Sequence, residues 1–223
     1  MEQANWSAVD SYIEERIVAP DFALQAALAA NASAGLPAID VSPPQGKLLQ
    51  LLARMTRSRK VLEIGALGGY STIWLARALP ADGFVVTLEA NPKHADVARE
   101  NIRRAGLSGR VRLRVGEALD TLPHLEEEGV GPFDFVFIDA DKQRNPEYFA
   151  WALRLAKPGT VIVCDNVVRD GAILDRASAD PSAQGTRRMF EMIAKEPRVS
   201  ATVVQTVGAK GWDGLLVAIV DRV

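Results

Sequence analysis

Apolar positions recur along this chain in two periods. From residue 4 to residue 34 they fall three and four apart, beginning with Trp6, Val9, Ile13 and Ile17, the spacing of an amphipathic helix. Pro20 interrupts the run. A second, alanine-rich helix is predicted over 22–34, and Gly35-Leu-Pro37 ends it. Ser42-Pro-Pro44 reads as cap and first turn of a helix over 44–57. From residue 60 onward, short apolar runs alternate with helical patterns. Strands are predicted at 60–64, 84–88, 111–115, 133–138, 160–164, 199–206 and 215–220. Helices are predicted at 71–78, 92–105, 118–128, 146–155 and 182–195. Strands that alternate with helices predict an α/β fold with a doubly wound, mostly parallel sheet. The last two strands are separated only by residues 207–214, too few for a parallel crossover, so this pair is predicted antiparallel.

The Pro/Gly breaks near 35–46 set off residues 1–40 as a helical extension, taken as a lid or an oligomer contact. The whole of 1–223 is read as one domain, a length that buries one α/β core. Hydrophobic residues make up 48 % and charged residues 24 %, ordinary for a globular protein. A net charge of −2 gives no electrostatic case for nucleic acid. No run approaches the ~20 apolar residues of a membrane span, and the start, Met1 to Trp6, lacks the basic and apolar regions of a signal peptide. A cytoplasmic location with no membrane partner is expected. The single cysteine, Cys164, lies inside an apolar strand and reads as a small core residue.

The chemistry gathers at strand ends. Phe133 to Lys142 reads F-D-F-V-F-I-D-A-D-K, an apolar strand running straight into Asp139, Asp141 and Lys142. The strand ending at Cys164 runs into Asp165 and Asn166 in the same way. In parallel α/β sheets, ligands bind beyond the carboxyl ends of the strands. Asp139, Asp165 and Asn166 are hard oxygen donors, which suit Mg²⁺ or Ca²⁺ better than zinc. Asp141 is read as a helix cap or the partner of a nearby cation, and His94 and His124 as surface or boundary residues.

Residues 61–71, V-L-E-I-G-A-L-G-G-Y-S, form a strand, a glycine turn and a helix start. The spacing G-x-x-G-G is not the dinucleotide fingerprint G-x-G-x-x-G. Glu63, just before the loop, disfavours a phosphate and fits a ligand with a positive charge, such as an amino acid moiety. Glu89 ends the next strand, where an acid accepts hydrogen bonds from ribose hydroxyls. Together these features point to a nucleoside-type cofactor.

These residues resemble the cation-dependent O-methyltransferases, the group that contains the catechol and caffeoyl-coenzyme A enzymes and their bacterial relatives. The resemblance rests on residues 61–71, T-L-E-A-N-P (87–92), F-I-D-A-D-K (137–142), D-N-V-V (165–168) and W-D-G-L (212–215). It implies a seven-stranded, Rossmann-like methyltransferase sheet with an antiparallel last strand. It implies S-adenosylmethionine as cofactor, with Glu63, Gly65, Gly69 and Ser71 at its methionine part, Val41 approaching the same ligand and Asp139 close by. It further implies Glu89 on the ribose and Ala118 near adenine. Asp139, Asp165 and Asn166 would ligate a divalent cation, Mg²⁺ or another such as Mn²⁺ or Ca²⁺, and Lys142 would be the general base. The implied acceptor is a small phenolic molecule, and the implied assembly a homodimer. Residues 169–186 are expected to form a loop over the site, and Lys210, Gly211 and Trp212 to line an opposite wall, although Trp212 equally suits plain packing. Two other readings stay open: a nicotinamide-dependent oxidoreductase, against which the glycine spacing speaks, and a nucleoside-binding module without catalysis.

Overall fold

A computed structural model describes residues 2–18 and 21–221. The predicted break at Pro20 lies outside the described residues. Two helices open the chain, α1 (Glu2–Ile17) and α2 (Phe22–Ser33), and α3 (Pro43–Met55) follows. The α3 start is a full capping box: Ser42 Oγ accepts from Gln45 N, and the Gln45 side chain accepts from Ser42 N.

Then come β1 (Lys60–Ile64), α4 (Tyr70–Ala78), β2 (Phe84–Glu89), α5 (Pro92–Arg104), β3 (Val111–Val115), α6 (Ala118–Glu127) and β4 (Phe135–Ile138). The second half holds α7 (Asn145–Arg154), β5 (Val161–Cys164), α8 (Pro181–Ile193), β6 (Val199–Gly208) and β7 (Gly211–Val220). The seven strands form one sheet in the order β3-β2-β1-β4-β5-β7-β6. Only β7 runs against the others, pairing antiparallel with both β5 and β6.

Side chains of a strand alternate between the faces of the sheet, and here both faces are covered. Val61, Val85, Phe135, Phe137 and Val163 meet helices α2 to α5 through Leu24, Leu49, Ile73 and Ile102. Leu62, Ile64, Val86, Val136 and Ile162 meet α6, α7 and α8 through Leu122, Phe149 and Met189. Each fully buried aliphatic or aromatic side chain contributes roughly 1.5–3 kcal/mol. The sheet is closed at the end away from the site by Asp134. Its Oδ2 accepts from the backbone N–H groups of Arg59 (2.7 Å) and Lys60 (2.8 Å), and Lys157 Nζ lies 2.5 Å from Oδ1.

Three expectations are corrected. The fourth strand starts at Phe135, because Phe133 N bonds to Leu155 O instead of to a strand. Residues 207–214 are not a loop. The β6–β7 ladder pairs Val207 with Trp212 and Gly208 with Gly211, and Gly211 takes a left-handed φ of 94° beside the tight turn. Nor do residues 169–186 form one loop, since Asp180 caps α8 and Pro181 begins it.

Helix α1 lies against β6 and α3 and is latched to the β6–β7 hairpin. Asp10 Oδ2 accepts from Ala209 N (2.7 Å), and Gln3 Nε2 donates to Gly208 O (2.9 Å). Among the described residues, no helix is long and apolar enough to cross a membrane.

Candidate active site

The strand order reverses between β1 and β4, and the crevice outside their carboxyl ends is the expected place for a ligand. A cavity of about 690 Å³ opens there. Gly65 ends β1 with a φ of 97°, and a Cβ on it would collide with the Asp139 carbonyl oxygen. Glycine thus lets the β1 and β4 ends approach.

Glu89, at the end of β2, is buried, and its carboxylate is oriented by two backbone donors. Leu67 N–H donates to Oε2 at 2.8 Å and Asn91 N–H to Oε1 at 2.9 Å. A carboxylate has about four lone-pair sites, so each oxygen keeps one for a ligand, a match for two adjacent hydroxyls. His94 also lines the cavity, its Nδ1 3.5 Å from Glu89 Oε1. Val41, Gly65, Ser71 and Ala118 line the same cavity.

Glu63 and Gly69 do not line it. Glu63 is fully buried and accepts three hydroxyl hydrogen bonds, from Ser71 (2.6 Å), Thr87 (2.6 Å) and Thr72. Burial pushes its carboxyl up to about 7, against the downward pull of those three hydroxyls. Glu63 therefore acts on the cavity through Ser71. Gly69 opens α4 with a φ of 82° and faces Ala98 of α5. Both residues, expected at the cofactor, thus stand behind the cavity wall and not on it.

At the β4 and β5 ends, Ile138 pairs with Cys164, which sets Asp139 beside Asp165. Lys142 Nζ is 2.6 Å from Asp139 Oδ1, and Lys142 is itself buried. Burial pushes the Lys142 ammonium down, but Asp139, with smaller help from neighbours including Asp165, outweighs it and raises its pKa. Asp165 is 3 % exposed, and burial together with Asp139 drives its carboxyl up to about 7 despite Lys142. Asn166 follows in the left-handed region (φ 57°) and lines this cavity and a second one of about 560 Å³. Asp165 lines the second cavity only.

Among the described residues no cluster of three His, Cys, Asp or Glu groups suits a metal ion; the set here is two carboxylates and an amide. Two adjacent carboxylates, one of them buried, share a single lysine. That excess of negative charge fits a hard divalent cation, and Asn166 offers a neutral oxygen to complete the set.

Sequence reasoning missed several lining residues. Asp141, read as a helix cap or the partner of a nearby cation, does precede a short 3-10 turn and pair with Arg144 (Nε 3.5 Å away), but it also faces the first cavity and accepts from the Tyr148 hydroxyl. Burial first, and then Asp141, raise the Tyr148 hydroxyl above its ordinary range. The charge cluster at 139–142 was a signal for Asp141, whereas Tyr148 and His94 sit on helices and gave none. Lys210 and Gly211 line the second cavity as expected. Trp212 lines neither cavity; its Nε1 donates to Gln205 Oε1 at 2.9 Å across the hairpin.

A doubly wound sheet with a buried acid at the end of β2, a glycine turn and an acidic corner at its switch point has the layout of a nucleoside-cofactor site. Residues 15–218 match the sequence model of the family described as O-methyltransferase. The chain is 54 % identical over 220 residues to a protein named catechol O-methyltransferase from Niastella koreensis, covering 99 % of this chain and 100 % of that protein. An O-methyltransferase from Bacillus cereus, solved in complex with SAH, superposes with a TM-score of 0.97 at 59 % identity, covering 98 % of this chain and 99 % of that one. TomG from Streptomyces achromogenes, an O-methyltransferase involved in tomaymycin synthesis and solved with SAM, gives a TM-score of 0.96 at 50 % identity over 99 % of both chains. The chain belongs to the O-methyltransferase family.

Proposed function

We propose that the protein transfers a methyl group from S-adenosylmethionine to one hydroxyl of a catechol-like, vicinal diphenol acceptor, assisted by a divalent cation. The observation that carries this reading is the placement of Asp139, Asp165 and Asn166 on adjacent strand ends, where the cofactor-sized cavity meets the second one. The names and bound ligands of the relatives support it. The cofactor brings a methyl group already activated on a sulfonium, so the protein's part is to align an oxygen with it and to remove that oxygen's proton. A cation held by the Asp/Asp/Asn set would stabilise the phenolate and orient two adjacent oxygens.

In this reading Glu89 holds the ribose diol, and Ser71, fixed by Glu63, meets the amino acid part with Val41. Ala118, Asp141 and His94 close the first cavity around the nucleoside. Lys142 Nζ takes the acceptor's proton. A phenol has a pKa of about 10 and is mostly protonated at neutral pH, so a base is needed. A cation held by Asp139 would weaken that carboxylate's hold on the Lys142 proton and so favour the neutral amine.

The direct test is methylation of a panel of vicinal diphenols with labelled S-adenosylmethionine. Transfer to at least one of them is expected, and none to the matching monophenols, which offer one oxygen where a catechol offers two. Equal rates on monophenols contradict the two-oxygen reading. A parallel titration with NADH is expected to give no binding.

Glu89→Ala is expected to weaken S-adenosylmethionine roughly 5- to 150-fold, because unpaired buried hydroxyls cost on the order of 1–3 kcal/mol. Calorimetry that finds unchanged affinity removes Glu89 from the ribose site.

A homodimer fits the exposed apolar face of the N-terminal helices. Ile17 is 74 % exposed and Phe22 86 %, with Val9, Tyr12 and, on α3, Met55 also open, whereas Trp6 and Ile13 are half-buried on the protein itself. Two-fold dimers are the commonest soluble oligomers. Light scattering at micromolar concentration is expected to return twice the chain mass; a monomer mass contradicts the assignment.

A further inference from the structure

Asp40 has no role in the steps above, yet it is held in place with care. It lies in the segment between α2 and α3, and with Ile39 and Val41 it lines both cavities, so this segment is the partition between them. Asp40 Oδ1 accepts from Asn31 Nδ2 at 2.8 Å. Asn31, on α2, is 2 % exposed. Its Oδ1 accepts from Asn101 Nδ2 at 3.0 Å, and the same Asn101 amide donates to the Gly68 carbonyl at 2.9 Å. A Cβ on Gly68 would overlap the Asn31 amide.

This relay runs from the glycine loop through α5 and α2 to the partition. Because Asn31 accepts at its oxygen, its nitrogen must point to Asp40, and the carboxylate is pinned. Lys210, at the tip of the β6–β7 hairpin, lines the second cavity with Asp40, and its Nζ donates to Ala38 O at 3.3 Å. Two other carboxylates of that cavity are tied to backbone. Asp10 accepts from Ala209 N, and Asp213 accepts from Val168 N (3.0 Å) and Arg169 N (2.9 Å). Away from the Asp139/Asp165 corner, Asp40 on the partition and Lys210 at the hairpin tip are charges this cavity presents to an acceptor, with Asp10 and Asp213 keeping theirs beside the hairpin.

We propose that Asp40, pinned by Asn31 and Asn101, acts with Lys210 to orient an acceptor that carries a charged substituent, and so decides which of its two vicinal hydroxyls is methylated. The inference rests on the catechol reading above. A catechol can seat its oxygens in either of two ways, related by a flip. A fixed charge at one place in the cavity makes the two seatings unequal for a charged substituent and leaves them nearly equal for a neutral one. An ammonium arm is drawn to Asp40 and a carboxylate arm to Lys210.

The test compares three 4-substituted catechols, bearing an aminomethyl, an ethyl or a carboxymethyl group. The ratio of the two methylated regioisomers is read by chromatography. Affinity of the same catechols for the enzyme saturated with S-adenosylhomocysteine is read by calorimetry. Asp40→Asn is expected to bring the aminomethyl ratio about three- to fivefold closer to the ethyl ratio, the size of a modest charge pair, and to weaken that catechol's binding alone. Lys210→Gln is expected to do the same for the carboxymethyl catechol. Asn31→Ala is expected to shift the aminomethyl ratio in the direction of Asp40→Asn, and a folded Asn31→Ala protein with the wild-type ratio overturns the relay. Ratios and affinities that ignore Asp40→Asn overturn the inference while the catechol reading stands. Failure of the wild-type enzyme to methylate any of the three overturns both.

Discussion

Lys142→Ala is expected to slow the single-turnover methylation of catechol by about 10²–10⁴-fold, the usual cost of removing a general base, while S-adenosylmethionine binds with nearly unchanged affinity. Lys142 Nζ sits against Asp139 at 2.6 Å and lines the first cavity, next to the Asp139/Asp165 corner where the second one meets it. In the proposed reaction its loss would take away the proton acceptor and leave the Glu89 and Ser71 side of the cavity untouched. The deficit shrinks for nitrocatechols, whose lower pKa leaves more phenolate without help, and grows for methyl-substituted ones. Equal rates for mutant and wild type across that series exclude Lys142 as the base. Removal of Lys142 also leaves two adjacent carboxylates without a cation of the chain's own. Metal affinity is therefore expected to hold or rise, which separates loss of the base from loss of the metal.

The second large effect is chelation. Dialysed protein in excess chelator is expected to lose methyl transfer by about 10²-fold or more, since a bound cation supplies several kcal/mol of charge stabilisation. Mg²⁺ or Mn²⁺ is expected to restore it. Asp165→Ala should remove the response to metal with cofactor affinity kept, because Asp165 lines the second cavity and not the first. Asp141→Ala should do the reverse, because Asp141 faces the first cavity beside Tyr148 and Arg144. Full activity in chelator rules out the metal. Asp141 stands two residues from Asp139 along the chain and Asp165 stands beside it on the neighbouring strand end, and opposite outcomes for the two would be hard to produce by general destabilisation.

The strand ends were legible because a parallel sheet buried on both faces demands unbroken apolar runs, and Phe135–Ile138 and Val161–Cys164 leave no other reason for the charges that follow. Glu89 was legible for the same cause. The directions of Glu63 and Gly69 were not. Glu63 alternates in register with its neighbours, and only the packing of Thr72 and Thr87 around it shows that its carboxylate is enclosed. The antiparallel pairing of the last two strands was legible from their short connection, but its extension through 207–214 was not, since Gly208, Gly211 and Gly214 suit a turn and the ladder itself decides the pairing. Asp40 and Asn31 gave no pattern at all, since a buried polar relay joins residues far apart in sequence.

The clasp of Asp134 on the closed end of the sheet has a bearing on how this protein meets acid. Burial pushes that carboxyl up, but Lys157 and the Arg59 and Lys60 amides outweigh it and hold it below the ordinary range. Its stabilisation is therefore complete at neutral pH and fades only as pH drops through the depressed value. Glu63, held near 7, has the opposite sign: the folded state takes up its proton first and gains stability as pH falls through neutrality. On mild acidification the carboxyl behind Ser71 takes up its proton while the far end of the sheet stays locked, so the two ends of one sheet answer acid at different points on the pH scale.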